Sequence, residues 1–124
     1  MRKLTLSCAG LALLVMAAVP GHAHAARYAP MSPRDLGIAA IHWASARWHV
    51  NYWWLYRIAS RESGLYPSAY NHWSGASGLF QFLPSTYWPY ARRIGETRSI
   101  FNAYANANVA AYMFSIGLSY AWNE

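Results

Sequence analysis

The chain has 124 residues, with ten Lys and Arg against four Asp and Glu and a net charge of +6 at neutral pH. That length admits one domain and not two, its single cysteine excludes an internal disulfide framework, and no basic run longer than Arg92-Arg93 supports nucleic-acid binding. Seven Trp and ten Tyr call for either a very aromatic core or aromatics displayed in a cleft, and the modest positive excess suits an anionic partner such as a cell-wall polymer or a membrane surface.

The N-terminus has the three parts of a secretory signal. Arg2 and Lys3 precede an apolar run through Leu11, Leu13, Leu14, Val15 and Met16, and Ala23-His24-Ala25 supplies the cleavage site. The run is too short for a good membrane span, so the expectation is export, removal of residues 1–25 and no stable membrane anchor afterwards. Cys8 lies ahead of most of the apolar run, which argues against a lipoprotein anchor. The remaining domain, 26–124, then holds no cysteine and depends on an ordinary packed core.

After a short extended lead, Ser32-Pro33 reads as a cap followed by proline at the first helical position, and the spacing predicts a helix over about 34–48. Leu36, Ala40, Trp43 and Arg47 would share one face, and Asp35 in the first turn suits the helix dipole. Asn51 caps a second helix over Tyr52 to Ser63, which Gly64 ends. Gly, Ser, Pro, Asn and Tyr dominate from Gly64 to Gly78, which predicts a long loop or a small hairpin. The apolar segment Gly78-Leu79-Phe80-Gln81-Phe82-Leu83 stops at Pro84, and Ser85-Thr86 opens a third helix to about Ile94. A last helix is predicted over about 102–120, with an Ala- and Asn-rich first half whose small residues would permit close helix approach. The expected fold class is α+β, mostly α, as one domain.

Glu62 is the residue with the most chemical content. Trp54 and Ile58 precede it at four-residue steps, on a helix that also carries Leu55 and Ala59, so its carboxylate continues an apolar face. Partial desolvation there, together with the helix C-terminus at Gly64, would favour the protonated acid. The same pattern assigns Trp53 and Trp54 to the core. A surface ion pair is the plain alternative for Glu62, but Ile58 and Ala59 occupy the i−4 and i−3 places, which leaves only the poorly placed Arg57 and Arg61.

The stretch from Glu62-Ser63-Gly64-Leu65-Tyr66-Pro67 to Ser77-Gly78-Leu79-Phe80-Gln81-Phe82-Leu83-Pro84-Ser85-Thr86 closely resembles the soluble lytic transglycosylase (SLT) domain, related to goose-type lysozyme. Asn108-Val109-Ala110-Ala111-Tyr112-Met113 is similar to the third motif of that family, an Asn-rich helix start bearing a Tyr. The resemblance implies a lysozyme-like fold and cleavage of the β-1,4 bond between N-acetylmuramic acid and N-acetylglucosamine in peptidoglycan, with a 1,6-anhydro end and one Glu as acid and then base. Independently, most glycosidases use two carboxylates, and Asp35, Glu96 and Glu124 each have another place: a helix start, a polar turn and the chain end. A hydrolase of the same polymer and a non-catalytic wall-binding module remain alternatives.

The resemblance further implies Gln81 facing the sugar, although a buried amide pinning the loop would look the same in sequence. Ser77 either bonds substrate or Glu62 or merely completes a turn. Asn71 lies in the loop where relatives place a polar residue near the acid. Phe82 and Leu83 could seat an acetamide methyl or belong to the core, and Tyr112 is either a donor at the floor of the site or a buried packing residue. Tyr70 and Trp73 are better candidates for stacking on sugar faces than Trp53 or Trp54. His42 and His49 lack the company that a metal site needs, so no metal or cofactor is expected. The family's segment after the third motif, whose Tyr lines the site, has only a displaced echo in Tyr120, which suggests a short variant aided by a cell-envelope partner. The expected location is periplasmic or secreted.

Overall fold

The computed structural model describes residues 29–122; the predicted signal segment, Cys8 and Glu124 lie outside them. Four α-helices follow in order, α1 (Pro33–Trp48), α2 (Tyr52–Ser63), α3 (Pro84–Arg93) and α4 (Ala103–Ser115), and a 3-10 turn, Ser119–Trp122, comes last. Their starts obey local chemistry. The Ser32 hydroxyl accepts from the Asp35 N–H, Asn51 Oδ1 from the Trp54 N–H and Asn102 Oδ1 from the Ala105 N–H, each satisfying a donor that the first helical turn leaves free. Gly64 ends α2 in the left-handed conformation, returning its N–H to Ala59 and Ser60.

Two helix ends differ from expectation. α3 begins at Pro84, with Leu83 as a cap that makes no side-chain bond; proline at the first position needs no donor partner, so the Ser85-Thr86 start is unnecessary. α4 stops at Ser115 instead of continuing to 120. The chain turns at Ile116-Gly117, which lets the Ser119–Trp122 segment fold back on the domain. The expected α+β character also gives way: among the described residues only isolated bridges, Tyr70 with Ser77 and Ser77 with Phe82, occupy the long loop. The domain is mostly helical.

The core forms where α1 lies against α4. α1 buries Gly37, Ala40, Ile41, Ala44 and Ser45; Trp43 is partly exposed and Arg47 exposed, so the buried stripe is rotated from the one expected. α4 contributes Ala103, Ala107, Val109, Ala110 and Ala111, and this facing of small residues allows the two helices to approach closely, as their Ala content suggested. A Cβ on Gly37 would lie 2.4 Å from the Leu65 carbonyl oxygen, so the chain just after α2 packs directly onto the α1 backbone. On α2 it is Leu55 and Ala59 that are fully buried. Trp53 and Trp54 are 64% and 59% exposed, which overturns their assignment to the core: both point away from the Leu55–Ala59 side of the helix.

A polar lock ties α1, α4 and the segment after α3 together. Glu96 is buried; its Oε1 accepts from the Thr97 and Arg98 N–H groups and from Arg98 Nε, while Oε2 accepts from Arg98 Nη2 at 2.6 Å and Asn108 Nδ2 at 3.1 Å. Asn108 in turn accepts from Trp48 Nε1 at 2.7 Å. The Arg98 side-chain bond is the chief cause holding the Glu96 carboxyl at a pKa of about 2, against the usual 4.5, with burial opposing it and the Asn108 bond assisting. Because the folded state holds this proton more weakly than the unfolded chain, the stabilisation is complete above about pH 5 and drains away as the pH falls toward 2. It amounts to roughly 2–3 kcal/mol. Denaturant titrations across that window should show the loss, and Glu96→Gln, although less stable at neutral pH, should show a flatter acid dependence.

Candidate active site

α2 carries Glu62 in its last turn, and the loop that follows returns beneath it. A groove of about 460 Å³ opens there, lined by Glu62, Ser63, Ala69, Tyr70, Asn71, His72, Trp73 and Gln81. The Glu62 side chain is 27% exposed, partly withdrawn from water yet open to the groove. Arg61, expected to be poorly placed, doubles back and donates Nε and Nη2 to Glu62 Oε1 at 3.1 and 2.9 Å. Adjacent side chains on a helix diverge, but the long Arg stem curls back across that gap.

The opposite wall is the turn Gly78-Leu79-Phe80-Gln81. Gly78 has φ +79°, and a Cβ there would sit 2.4 Å from Asn106 Nδ2 and 2.5 Å from the Ile100 carbonyl oxygen, so both conformation and space demand glycine. Asn106, fully buried on α4, accepts from the Phe80 N–H at 2.8 Å and donates to the Ile100 carbonyl at 2.7 Å. Ser63, beside Glu62, shares its hydroxyl proton between the Ala59 carbonyl at 3.0 Å and the Leu79 carbonyl at 2.7 Å, which pins the helix end to the turn. Gln81 adopts φ +52°, an uncommon conformation for a residue with a side chain and one that clusters at functional sites. Its amide nitrogen donates to the Ala69 and Gly78 carbonyls. Among the described residues its Oε1 has no hydrogen-bond partner, and the residue still lines the groove. Gln81 thus fastens the loop through its amide nitrogen and also lines the groove.

Asn71 lines the groove too, but its side-chain oxygen accepts from the Trp73 and Ser74 N–H groups and so sets the loop conformation that presents Trp73, which is 99% exposed. Tyr70 is half-exposed and meets His72 edge-on, with ring centroids 4.9 Å apart. Three expected site residues are placed elsewhere. Ser77 is buried and donates to the Gly75 carbonyl at 2.9 Å; it makes no bond to Glu62. Leu83 is exposed at the start of α3, outside the groove lining. Tyr112 packs against Trp48, ring centroids 5.0 Å apart, because the α4 face that carries it turns toward α1.

Sequence reasoning passed over two residues that build the site. Asn106 had a visible signal, an amide inside an Ala-rich helix, where a specific partner justifies it. Trp122 had none. Its ring is buried against Phe80, Phe82 and Phe114, its Nε1 donates to the Phe80 carbonyl at 3.0 Å, and its own carbonyl accepts from Arg61 Nη2 at 2.5 Å. A larger concavity of about 680 Å³ borders α2 at Trp54, Tyr56, Arg57, Ile58, Ser60 and Arg61. Phe114 and Ser119 complete its lining, and no carboxylate faces it.

A small helical domain with a carboxylate at a helix end, facing a glycine turn across a groove, is of the lysozyme-like kind. The family model of the transglycosylase SLT domain matches residues 39–123, more than half of the sequence, and the chain belongs to that family. Membership brings lysozyme-like activity on the cell wall, with peptidoglycan as the substrate class. No curated protein and no solved structure matches the chain.

Proposed function

We propose that the chain is a peptidoglycan lytic transglycosylase in which Glu62 alone supplies acid and base. The observation that carries this reading is the solitude of that carboxylate in its groove. Glu96, the only other interior carboxylate among the described residues, is buried and occupied by five hydrogen bonds, and Asp35 is engaged with Ser32 at the start of α1. Most hydrolytic glycosidases use a second carboxylate as nucleophile or to activate water. An internal nucleophile needs none.

In the proposed reaction Glu62 gives its proton to the glycosidic oxygen as the bond from that oxygen to the muramic anomeric carbon breaks. The carboxylate then takes the proton of the muramic 6-hydroxyl while that oxygen bonds to the anomeric carbon. The products are a 1,6-anhydro end and a free 4-hydroxyl on the departing N-acetylglucosamine, and Glu62 regains its proton. Gln81, which lines the groove and has an Oε1 without a hydrogen-bond partner among the described residues, would accept from a sugar amide or hydroxyl, and the faces of Trp73 and Tyr70 suit the C–H faces of pyranose rings. Digestion of purified sacculi followed by mass analysis of the fragments tests the reaction: anhydro ends support it, and reducing ends would replace it with hydrolysis. Binding without fragments would leave only a wall-binding module.

Trp73 lies wholly outside the core, so Trp73→Ala should leave the thermal midpoint unchanged. If it stacks on the glycan, losing about 1 kcal/mol of contact should raise KM roughly fivefold with kcat little altered, measured on the same sacculi. Export is part of the proposal, because the substrate lies outside the cytoplasm. N-terminal sequencing of the protein recovered from the cell envelope or medium should begin at Ala26.

A further inference from the structure

Arg61 and Glu62 are neighbours in sequence, and side chains one residue apart on a helix normally diverge. Their pairing therefore requires the Arg61 side chain to fold back, which sacrifices much of a rotamer freedom worth about 2 kcal/mol. An ion pair with one partner 59% exposed contributes about 0–1 kcal/mol to stability. Stability alone is a poor explanation for the arrangement. What the fold-back accomplishes is geometric: the guanidinium takes Glu62 Oε1 with two of its donors and the Trp122 carbonyl with Nη2. Among the described residues Glu62 Oε2 receives no hydrogen bond, so it is left as the oxygen free to exchange a proton.

The anchoring of Arg61 has its own support. Trp122 is buried, stacked on Phe114 at 5.4 Å, and its indole N–H is bonded to the Phe80 carbonyl. Phe80 adjoins Gln81 on the far wall of the groove. A continuous set of contacts thus runs from Glu62 through Arg61, Trp122 and Phe80 to Gln81, joining both walls through the 3-10 turn that closes the described chain.

We infer that Arg61 is a positioning residue for the Glu62 carboxylate, held by the Trp122 carbonyl, so that the Ser119–Trp122 turn sets the geometry of the site. This inference rests on the proposed role of Glu62. Steady-state digestion of sacculi by Arg61→Gln should show kcat reduced tenfold or more, with KM within about twofold of wild type, because Arg61 does not line the Glu62 groove. The thermal midpoint should be unchanged. Arg61→Lys, which keeps the charge but loses the planar fork, should remain well below wild type; it carries the same test if Arg61→Gln proves unfolded. Trp122→Phe keeps the packing but removes the bond to Phe80, so it should also lower kcat, and the double variant with Arg61→Gln should be no slower than Arg61→Gln alone.

Wild-type kcat in Arg61→Gln or Arg61→Lys would overturn the inference. So would a rise in KM alone, which would make Arg61 a substrate contact, or fully multiplicative losses in the double variant. A readout free of turnover is the carboxyl carbon resonance of Glu62, which should move in Trp122→Phe although that residue does not touch it; an unmoved resonance would sink the coupling. Wild-type protein that releases no fragments would defeat the transglycosylase reading instead, leaving the resonance to decide the positioning role.

Discussion

Glu62→Gln should lose release of soluble fragments from sacculi by about 10³-fold or more. A positioned general acid contributes about 10² to 10⁴ in rate, and in the proposed reaction the same side chain acts twice, first giving a proton and then taking one, so the upper part of that range applies. A factor of 10³ corresponds to about 4 kcal/mol of barrier. Gln is nearly isosteric and keeps a hydrogen-bond acceptor for Arg61, so the groove and the fold should survive; circular dichroism and the thermal midpoint should match wild type, and glycan binding should persist. This combination, intact binding with lost turnover, separates a chemical role from a structural one. A Glu62→Gln protein that still released fragments at the wild-type rate would show that the acid had been misassigned, and a turnover lost together with the fold would show a structural role.

Asn106→Ala should produce the largest loss of stability. The amide is fully buried and holds the Phe80 N–H and the Ile100 carbonyl at 2.8 and 2.7 Å, with a longer contact of 3.4 Å to the Ser77 carbonyl. Truncation strands at least two buried backbone groups, at about 1–3 kcal/mol each, and opens a cavity. The sum is about 3–5 kcal/mol, a large part of the roughly 5–15 kcal/mol that holds a domain of this kind together. Urea unfolding should show the midpoint fall with the slope preserved. The turn that carries Gln81 loses its anchor at the same time, so activity should fall further than the folded fraction alone accounts for. A loss below about 1 kcal/mol would mean that water replaces the amide on its partners.

Much of the helical framework was legible from local signals. The caps at Ser32 and Asn51, the stop at Gly64 and the glycine turn at Gly78 are each set by chemistry within a few residues, and the structure has α2 between the boundaries expected. The order of motifs around Glu62, Gln81 and Asn108 likewise pointed to the family that the matched residues establish. Periodicity did less well. It placed Trp53 and Trp54 inside because it registers only that apolar residues recur, whereas the side of α2 that meets the core carries Leu55 and Ala59.

The third dimension decided the partners. Linear spacing carried no sign that Trp122 returns to Phe80 across 42 positions, or that Asn106 seats the turn from 26 positions away, since such bonds are chosen by which backbone groups remain unpaired after the helices pack. The same packing turned Tyr112 toward Trp48, buried Ser77 under its own loop and drew Glu96 from the expected polar turn into a buried lock. Residue identity alone determined the helix starts at Ser32-Pro33 and Asn51, the stop at Gly64 and the order of motifs that marks the family. Tertiary structure alone determined which side chains face that acid, because facing depends on long-range contacts whose formation no local preference encodes.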